Sequence, residues 1–228
     1  MLLRLLPFLA VILYGLVLWH FSARNLARQL TQNSRRLNDS RLAPVIERLR
    51  AALGTETLPV HVYQVAPVNG LAAPDGRVFL TEGFMDLYRK GEVSPEEIAS
   101  VIAHELGHVA RGHARRRMID FSGQNALRVV LAGLLGRIIP GLGIWIANLI
   151  ATAISARLSQ RDEYEADAFA SALLIKAGIG TGPQISLFEK LDRITGAPGA
   201  AAPAWLLTHP QTQDRIAAIR SNAARWGA

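Results

Sequence analysis

The sequence predicts an α+β fold, mostly α, with a small sheet and a hydrophobic N-terminal helix. Three features of its 228 residues lead there: strand-like runs at 58–65 and 77–80, helical periodicity or capping signals over most of the body, and an almost uncharged opening stretch. Apolar residues make up 50% of the chain, which suits one globular core plus something hydrophobic besides. Cysteine is absent, so disulfides, thiolate metal sites and a cysteine nucleophile are excluded, and any metal needs nitrogen and oxygen ligands. The net charge of +7 fits nucleic acid or anionic lipid. No stripe of interleaved aromatic and basic residues is present to stack bases, which favours lipid over nucleic acid as a partner.

From Met1 to Phe21 the only charge is Arg4, and Leu5–Trp19 is apolar, close to the roughly 20 residues that a spanning helix needs. Residues 1–22 therefore read as a transmembrane anchor. A cleaved signal peptide is the competing reading, although a cut after Ala23 would put bulky Phe21 where a small residue is expected. Arg24, Arg28, Arg35, Arg36 and Arg41 follow, and by the positive-inside rule they place the body on the cytoplasmic face, the periplasmic side being the alternative. Residues 23–57 read as a basic linker and an amphipathic helix at 41–53, which Gly54 stops. Strands are expected at 58–65 and at 77–80, after the turn Pro74-Asp75-Gly76. Ser94, Pro95 and Glu97 form a capping box with a proline in the first helical position, so a helix starts there. Later helices are expected at 160–177, 183–195 and 211–226, with a Gly/Ala/Pro-rich loop at 195–204.

The helix that begins at Ser94 carries "VIAHELGHVARGH", residues 101–113. His104 and His108, four apart, stack on one face and can offer two imidazole nitrogens to one metal ion. Glu105 lies about a quarter turn round, where it can reach water beside the metal without being a ligand. A catalytic zinc takes three protein ligands and leaves a position for water, with a nearby carboxylate as general base. Chance occurrence is the bland alternative, and the capping box weighs against it. A third histidine at 114 is ruled out because that residue is Ala114, and His113 is about 140° from His108, which suits a supporting or surface role better than ligation. "RDEYEADAFA" at 161–170 offers Glu163 and Asp167 on one helix face, so that one can ligate while the other accepts the N–H of a ligand histidine.

These stretches, with "NGLAAPDGRVFLTEG" at 69–83 and "THPQTQDRI" at 208–216, resemble in order and spacing the membrane-associated zinc metallopeptidases of the CAAX prenyl protease, HtpX, Oma and BepA type. The resemblance covers roughly 58–220. It implies a thermolysin-like zincin domain with one Zn2+ per chain, bound by His104, His108 and Glu163, and Glu105 as general base. It further implies that Asp167 orients a ligand histidine, and that His209 approaches the metal as a resting cap or an oxyanion stabiliser, with Arg215 as its anchor. Asn69, Gly70, Leu71 and Ala72 would line an edge that pairs with extended substrate. The family usually has Asn-Ala-Phe-Ala at this edge, so the fit of substrate there is open.

The peptidase domain is read as 58–228, with 126–158 a hydrophobic helical insertion. Its first leg, Val129–Gly136, is too short to span, which favours a hairpin that dips into the leaflet or covers the site over two true spans. The reading is a membrane-bound zinc endopeptidase, at a bacterial inner membrane, acting on membrane-associated or misfolded polypeptides in protein quality control. A zinc-containing membrane-surface chaperone with little turnover is the alternative, and the presence of Glu105 argues against it.

Overall fold

The computed structural model describes residues 28–73, 75–113, 132, 136–137, 139, 142–195, 209 and 213–226. The expected anchor at 1–22, most of the first leg of the hydrophobic insertion and residues 196–204 of the expected loop lie outside the described residues. The chain divides into two compact units, one of Leu30–Arg111 with Glu163–Ala228 and one of Met1–Gln29 with Gly112–Asp162.

The first unit contains a four-stranded sheet in the order β1-β2-β4-β3, formed by β1 (Ser34–Arg36), β2 (Val60–Tyr63), β3 (Gly70–Ala72) and β4 (Val78–Thr81). β2 and β4 run parallel, and β1 and β3 flank them antiparallel. The two expected strands are present with ends shifted by one or two residues. β1 and β3 carry no alternating apolar pattern, and no strand was expected from 34–36. In β4 successive side chains go to opposite faces: Val78 and Leu80 enter the main core, while Phe79 packs with Leu30 and Ala73 on the other side. The sheet is therefore covered on both faces.

Helix α1 (Ala43–Leu53) buries Val45, Leu49 and Ala52 and ends as expected at Gly54, whose φ of 71° is left-handed and whose N–H donates back to the Arg50 and Ala51 carbonyls. α2 (Glu82–Arg89) was not expected; Thr81 ends β4 and caps this helix by accepting from the Phe84 N–H. α3 (Pro95–Ala110) starts on the expected capping box, with Glu97 accepting from the Ser94 N–H at 2.8 Å and Ser94 Oγ accepting from the Glu97 N–H at 3.2 Å. It is the central helix: every residue from Glu97 to Gly107 is buried. Around it lie α1, the sheet, α5 (Gly182–Thr195) and the C-terminal part of α4 (Gly143–Lys176), with α6 (Gln213–Trp226) against α5. Val62, Leu80, Phe84, Ile98, Ile102, Leu174, Leu187, Phe188, Leu191 and Ile219 form the core between them. Arg48 donates to the carbonyls of Ala177 and Gly178, which closes the end of α4 against α1.

The expected start of α4 at 160 is corrected, since the helix begins at Gly143. Between 144 and 177 there is neither glycine nor proline, and nothing stops the helix. The mostly apolar stretch before 160 has no 3.6-residue periodicity by which to read it. In the second unit, the described residues include this first half of α4, where Ile144, Trp145 and Leu149 are exposed. Among the described residues no helix is long and apolar enough to cross a membrane.

Candidate metal centre

α3 and the second half of α4 touch backbone to backbone. A Cβ on Gly107 would lie 2.9 Å from both Cα and O of Ala166, so only glycine lets the helices come this close. Gly107 shares a helix face with His104 and His108, and Ala166 sits between Glu163 and Asp167. The crossing thus points two imidazoles at two carboxylates.

His104 Nε2 lies 3.1 Å from His108 Nε2 and 3.4 Å from Glu163 Oε2, and His108 Nε2 lies 3.6 Å from Glu163 Oε1. His209 joins them, with Nδ1 2.9 Å from Glu163 Oε2 and 3.4 Å from His104 Nε2. One donor from each of these four residues falls within 4.8 Å of the others. A tetrahedral site with zinc bonds of about 2.0–2.2 Å has edges of about 3.3–3.6 Å, so the spacing and the N/O donor set fit such an ion. The four side chains converge from α3, α4 and residue 209, and all but His108 are buried.

Among the described residues, one buried side-chain atom around this group has no hydrogen-bond partner. His104 Nδ1 donates to Asp167 Oδ1 at 3.0 Å, which turns its Nε2 lone pair toward the other donors. Arg215 donates from Nε to Asp167 Oδ2 at 2.6 Å and from Nη2 to Oδ1 at 2.9 Å, and Nη2 reaches within 3.4 Å of Glu163 Oε2. The residue expected as an anchor for His209 therefore holds Asp167, and meets the same Glu163 oxygen as His209. Glu105 is buried with Oε1 lacking any hydrogen-bond partner, 3.5 Å from His209 Nε2. A buried carboxylate oxygen left unbonded is costly unless something else comes to it, and water or substrate at this site would.

Charge and burial oppose each other here. Burial disfavours a charged His104, but its bonds to Asp167 and Glu163 outweigh that and push it up to about 9. Burial likewise works against ionised Glu163 and Asp167, yet His104 and His209 hold Glu163, and His104 and Arg215 hold Asp167, below the usual carboxylate range. Without an ion the site keeps a proton on His104; a divalent cation would take over that positive charge.

His113 is not one of the four donors. It is buried rather than surface-exposed, 3.6 Å from Asp162 within the second unit. Gly70–Ala72 form the edge strand, and a Cβ on Gly70 would lie 2.8 Å from Val101 Cγ1 and 3.4 Å from Glu105 Oε1, so the edge runs directly beside Glu105. One contributor went unread in the sequence, Gly107, for which the available signal was a small residue on the same face as two candidate ligands.

The sequence profile of peptidase family M48 matches residues 36–223. Metalloprotease LoiP of Escherichia coli is 30% identical over 188 residues, covering 82% of this chain and 71% of its own. Metalloprotease YcaL of the same organism is 30% identical, covering 81% and 69%. A putative beta-barrel assembly-enhancing protease of Vibrio cholerae is 31% identical over 87% of this chain but only 43% of its own length.

Proposed function

The chain belongs to peptidase family M48 and is a metallopeptidase, and on that premise we propose that it is an endopeptidase whose zinc ion is held by His104, His108 and Glu163, with Glu105 as general base. The observation that carries this is the convergence of three nitrogen donors and a carboxylate within 4.8 Å, beside a buried carboxylate oxygen with no bond of its own. Zinc, when bound, supplies Lewis acidity that polarises a carbonyl and makes water a nucleophile near neutral pH. Glu105 Oε1 would accept a proton from the attacking water as its oxygen bonds to the carbonyl carbon, and would return that proton to the amine nitrogen as the C–N bond breaks. Asp167 fixes the tautomer of His104, and Arg215 balances the Asp167 charge inside the protein.

His209 lies where water and substrate need to come, with one ring nitrogen among the donors and the other toward Glu105. It acts as a resting cap that withdraws when substrate enters; the same placement supports the second reading, a zinc-holding chaperone kept shut. The edge strand 70–72 receives an extended peptide by strand addition, within reach of Glu105.

The membrane partner is lipid. In the first half of α4, Trp145 is 75% and Leu149 71% exposed, and the charge-free run that holds them is flanked by Arg137 and Arg157. Apolar residues between cationic flanks suit the interfacial region of an anionic bilayer. With the anchor expected at 1–22, this supports a location at a bacterial inner membrane, where the enzyme cleaves membrane-associated or misfolded polypeptides in protein quality control.

The test compares wild type, Glu105→Gln and His209→Ala for cleavage of casein in detergent, with bound zinc quantified in each. Cleavage by wild type, and zinc without cleavage in Glu105→Gln, are expected, with His209→Ala altered in rate. Zinc in all three with cleavage in none would move the chaperone reading ahead.

A further inference from the structure

α5 supplies none of the four donors, yet its first turn holds a buried amide against the helix that carries Glu163 and Asp167. Gln184 is 1% exposed and Ser171, its partner on α4, is fully buried, in a core that otherwise contains Ala170, Leu174, Leu187 and Phe188. A leucine would pack such a place without the cost of burying an amide. The Asp167 carbonyl is what the amide meets. Gln184 Nε2 donates to it at 3.4 Å, Ser171 Oγ lies 2.8 Å from it, and Ser171 Oγ donates to Gln184 Oε1 at 2.9 Å. A carbonyl oxygen has two lone pairs, and within α4 the Ser171 N–H takes one of them. With the single Ser171 hydroxyl proton on Gln184 Oε1, the other lone pair belongs to Gln184 Nε2. Turning the amide over would set Gln184 Oε1 against the carbonyl oxygen, so the network admits one orientation of the amide.

The carbonyl held in this way belongs to the residue whose carboxylate accepts from His104 Nδ1 and pairs with Arg215. One turn further along α5, the Phe188 ring lies 4.9 Å from the Arg215 guanidinium carbon, so residues 184 and 188, on one face of the helix, touch both members of that pair. α5 is itself fixed to the start of α3: Ser186 Oγ donates to Glu97 Oε1 at 2.7 Å and Lys190 Nζ to Glu97 Oε2 at 2.8 Å. It therefore connects the backbone at Asp167 to the helix that presents His104 and His108.

We propose that Gln184 is a positioning residue for the metal centre: through Ser171 and the Asp167 carbonyl it sets the axial position of α4 against α3, and so the aim of the Asp167 carboxylate at His104. It touches neither the donors nor substrate and acts only through Asp167. The proposal rests on the peptidase reading of the site. One net hydrogen bond corresponds to roughly a threefold to tenfold change in an equilibrium constant.

The experiment uses the full chain in detergent and compares wild type, Gln184→Met, the double variant Ser171→Ala, Gln184→Met, and Val45→Ala, a buried change in α1 that serves as the stability control. Zinc affinity is measured by chelator competition, the visible absorption bands of the Co(II)-loaded protein report the geometry around the metal, and thermal unfolding is followed without metal. kcat and KM are measured at saturating zinc for an internally quenched peptide. Methionine keeps the length of glutamine without its amide. The double variant leaves no polar side chain without its partner, which keeps the test decisive where Gln184→Met folds poorly. In both Gln184 variants zinc affinity falls roughly threefold to tenfold, the cobalt bands shift, and kcat falls to a similar extent while KM changes by less than about twofold. Val45→Ala lowers the zinc-free Tm and leaves zinc affinity and the cobalt bands as in wild type. Zinc affinity and cobalt bands that are unchanged in the Gln184 variants, or altered equally in Val45→Ala, overturn the proposal. Failure of the underlying reading looks different: wild type then binds no stoichiometric metal and shows no cleavage that depends on Glu105.

Discussion

Replacing Asp167 by asparagine should separate what holds the site from what the site binds. The Asp167 oxygens accept from His104 Nδ1, Arg215 Nε and Arg215 Nη2, at 2.6 to 3.0 Å, and both Asp167 and Arg215 are almost fully buried. Asparagine has one oxygen and an amide that can only donate, so at least one of these donors meets another donor. The Arg215 charge then sits inside the protein without its full partner. Breaking a buried pair from one side costs about 3–5 kcal/mol, and the bond that asparagine keeps puts this variant near about 3 kcal/mol. For a domain of this size that is a fall in Tm of roughly 6–12 °C in the zinc-free protein. Loss of the carboxylate behind His104 should also weaken zinc binding by roughly 10–100-fold. Thermal unfolding of zinc-free protein and competition with a chromophoric chelator measure the two effects independently. The double variant Asp167→Leu, Arg215→Met should recover much of the zinc-free stability and none of the zinc affinity. An unchanged zinc-free Tm in Asp167→Asn would refute the role given to this pair.

Three further outcomes follow from the same geometry. Gly107→Ala forces a Cβ to within 2.9 Å of the Ala166 backbone, so α3 and α4 must separate; about 1–3 kcal/mol of stability and most of the zinc affinity should be lost together, as unfolding and zinc titration will show. In the zinc-free protein the folded-state value of His104 is raised from 6.5 to about 9, so its contribution to stability is fully present below about pH 6.5 and lost as pH rises through about 9. A Tm of zinc-free protein that does not decline over that interval, relative to His104→Gln, would contradict this. Because the chain has no cysteine, Trp145→Cys and Leu149→Cys can each carry a single nitroxide, and in anionic vesicles both labels should be accessible to oxygen and shielded from a water-soluble nickel complex. Labels accessible to the nickel complex would place this part of α4 in water.

The sequence was most legible where local rules act alone. The capping box at Ser94, the stop at Gly54 and the spacing of His104 and His108 depend on neighbours within one helical turn, and each appears as expected. The pairing of His104 with Asp167 spans 63 residues; the helix face of 163 and 167 offered one ligand and one acceptor for a ligand histidine, and resemblance to a known family gave the acceptor role to Asp167, whereas the pairing of Arg215 with Asp167, across 48 residues, was not expected. β1 has the sequence Ser-Arg-Arg and is a strand because β2 offers it an edge, which is a tertiary cause with no local trace. α2 was missed for the opposite reason: its start depends on one threonine that ends a strand and caps a helix at the same position. The first half of α4 carries too much apolar sequence for any periodicity to show where the helix begins. Site residues were thus readable as chemistry, whereas the close helix crossing at Gly107 that assembles them depends on packing.

Zinc content of wild type, His108→Ala and His113→Ala, purified as full chains in detergent without chelator, tests most directly that His104, His108 and Glu163 hold one ion. His108 is one of the four donors, and His113 is paired with Asp162, so the two variants each remove one imidazole with different partners. The expected result is one zinc per chain in wild type and in His113→Ala, and none in His108→Ala. Zinc retained by His108→Ala, or lost from His113→Ala in a protein that still unfolds cooperatively, would contradict the assignment.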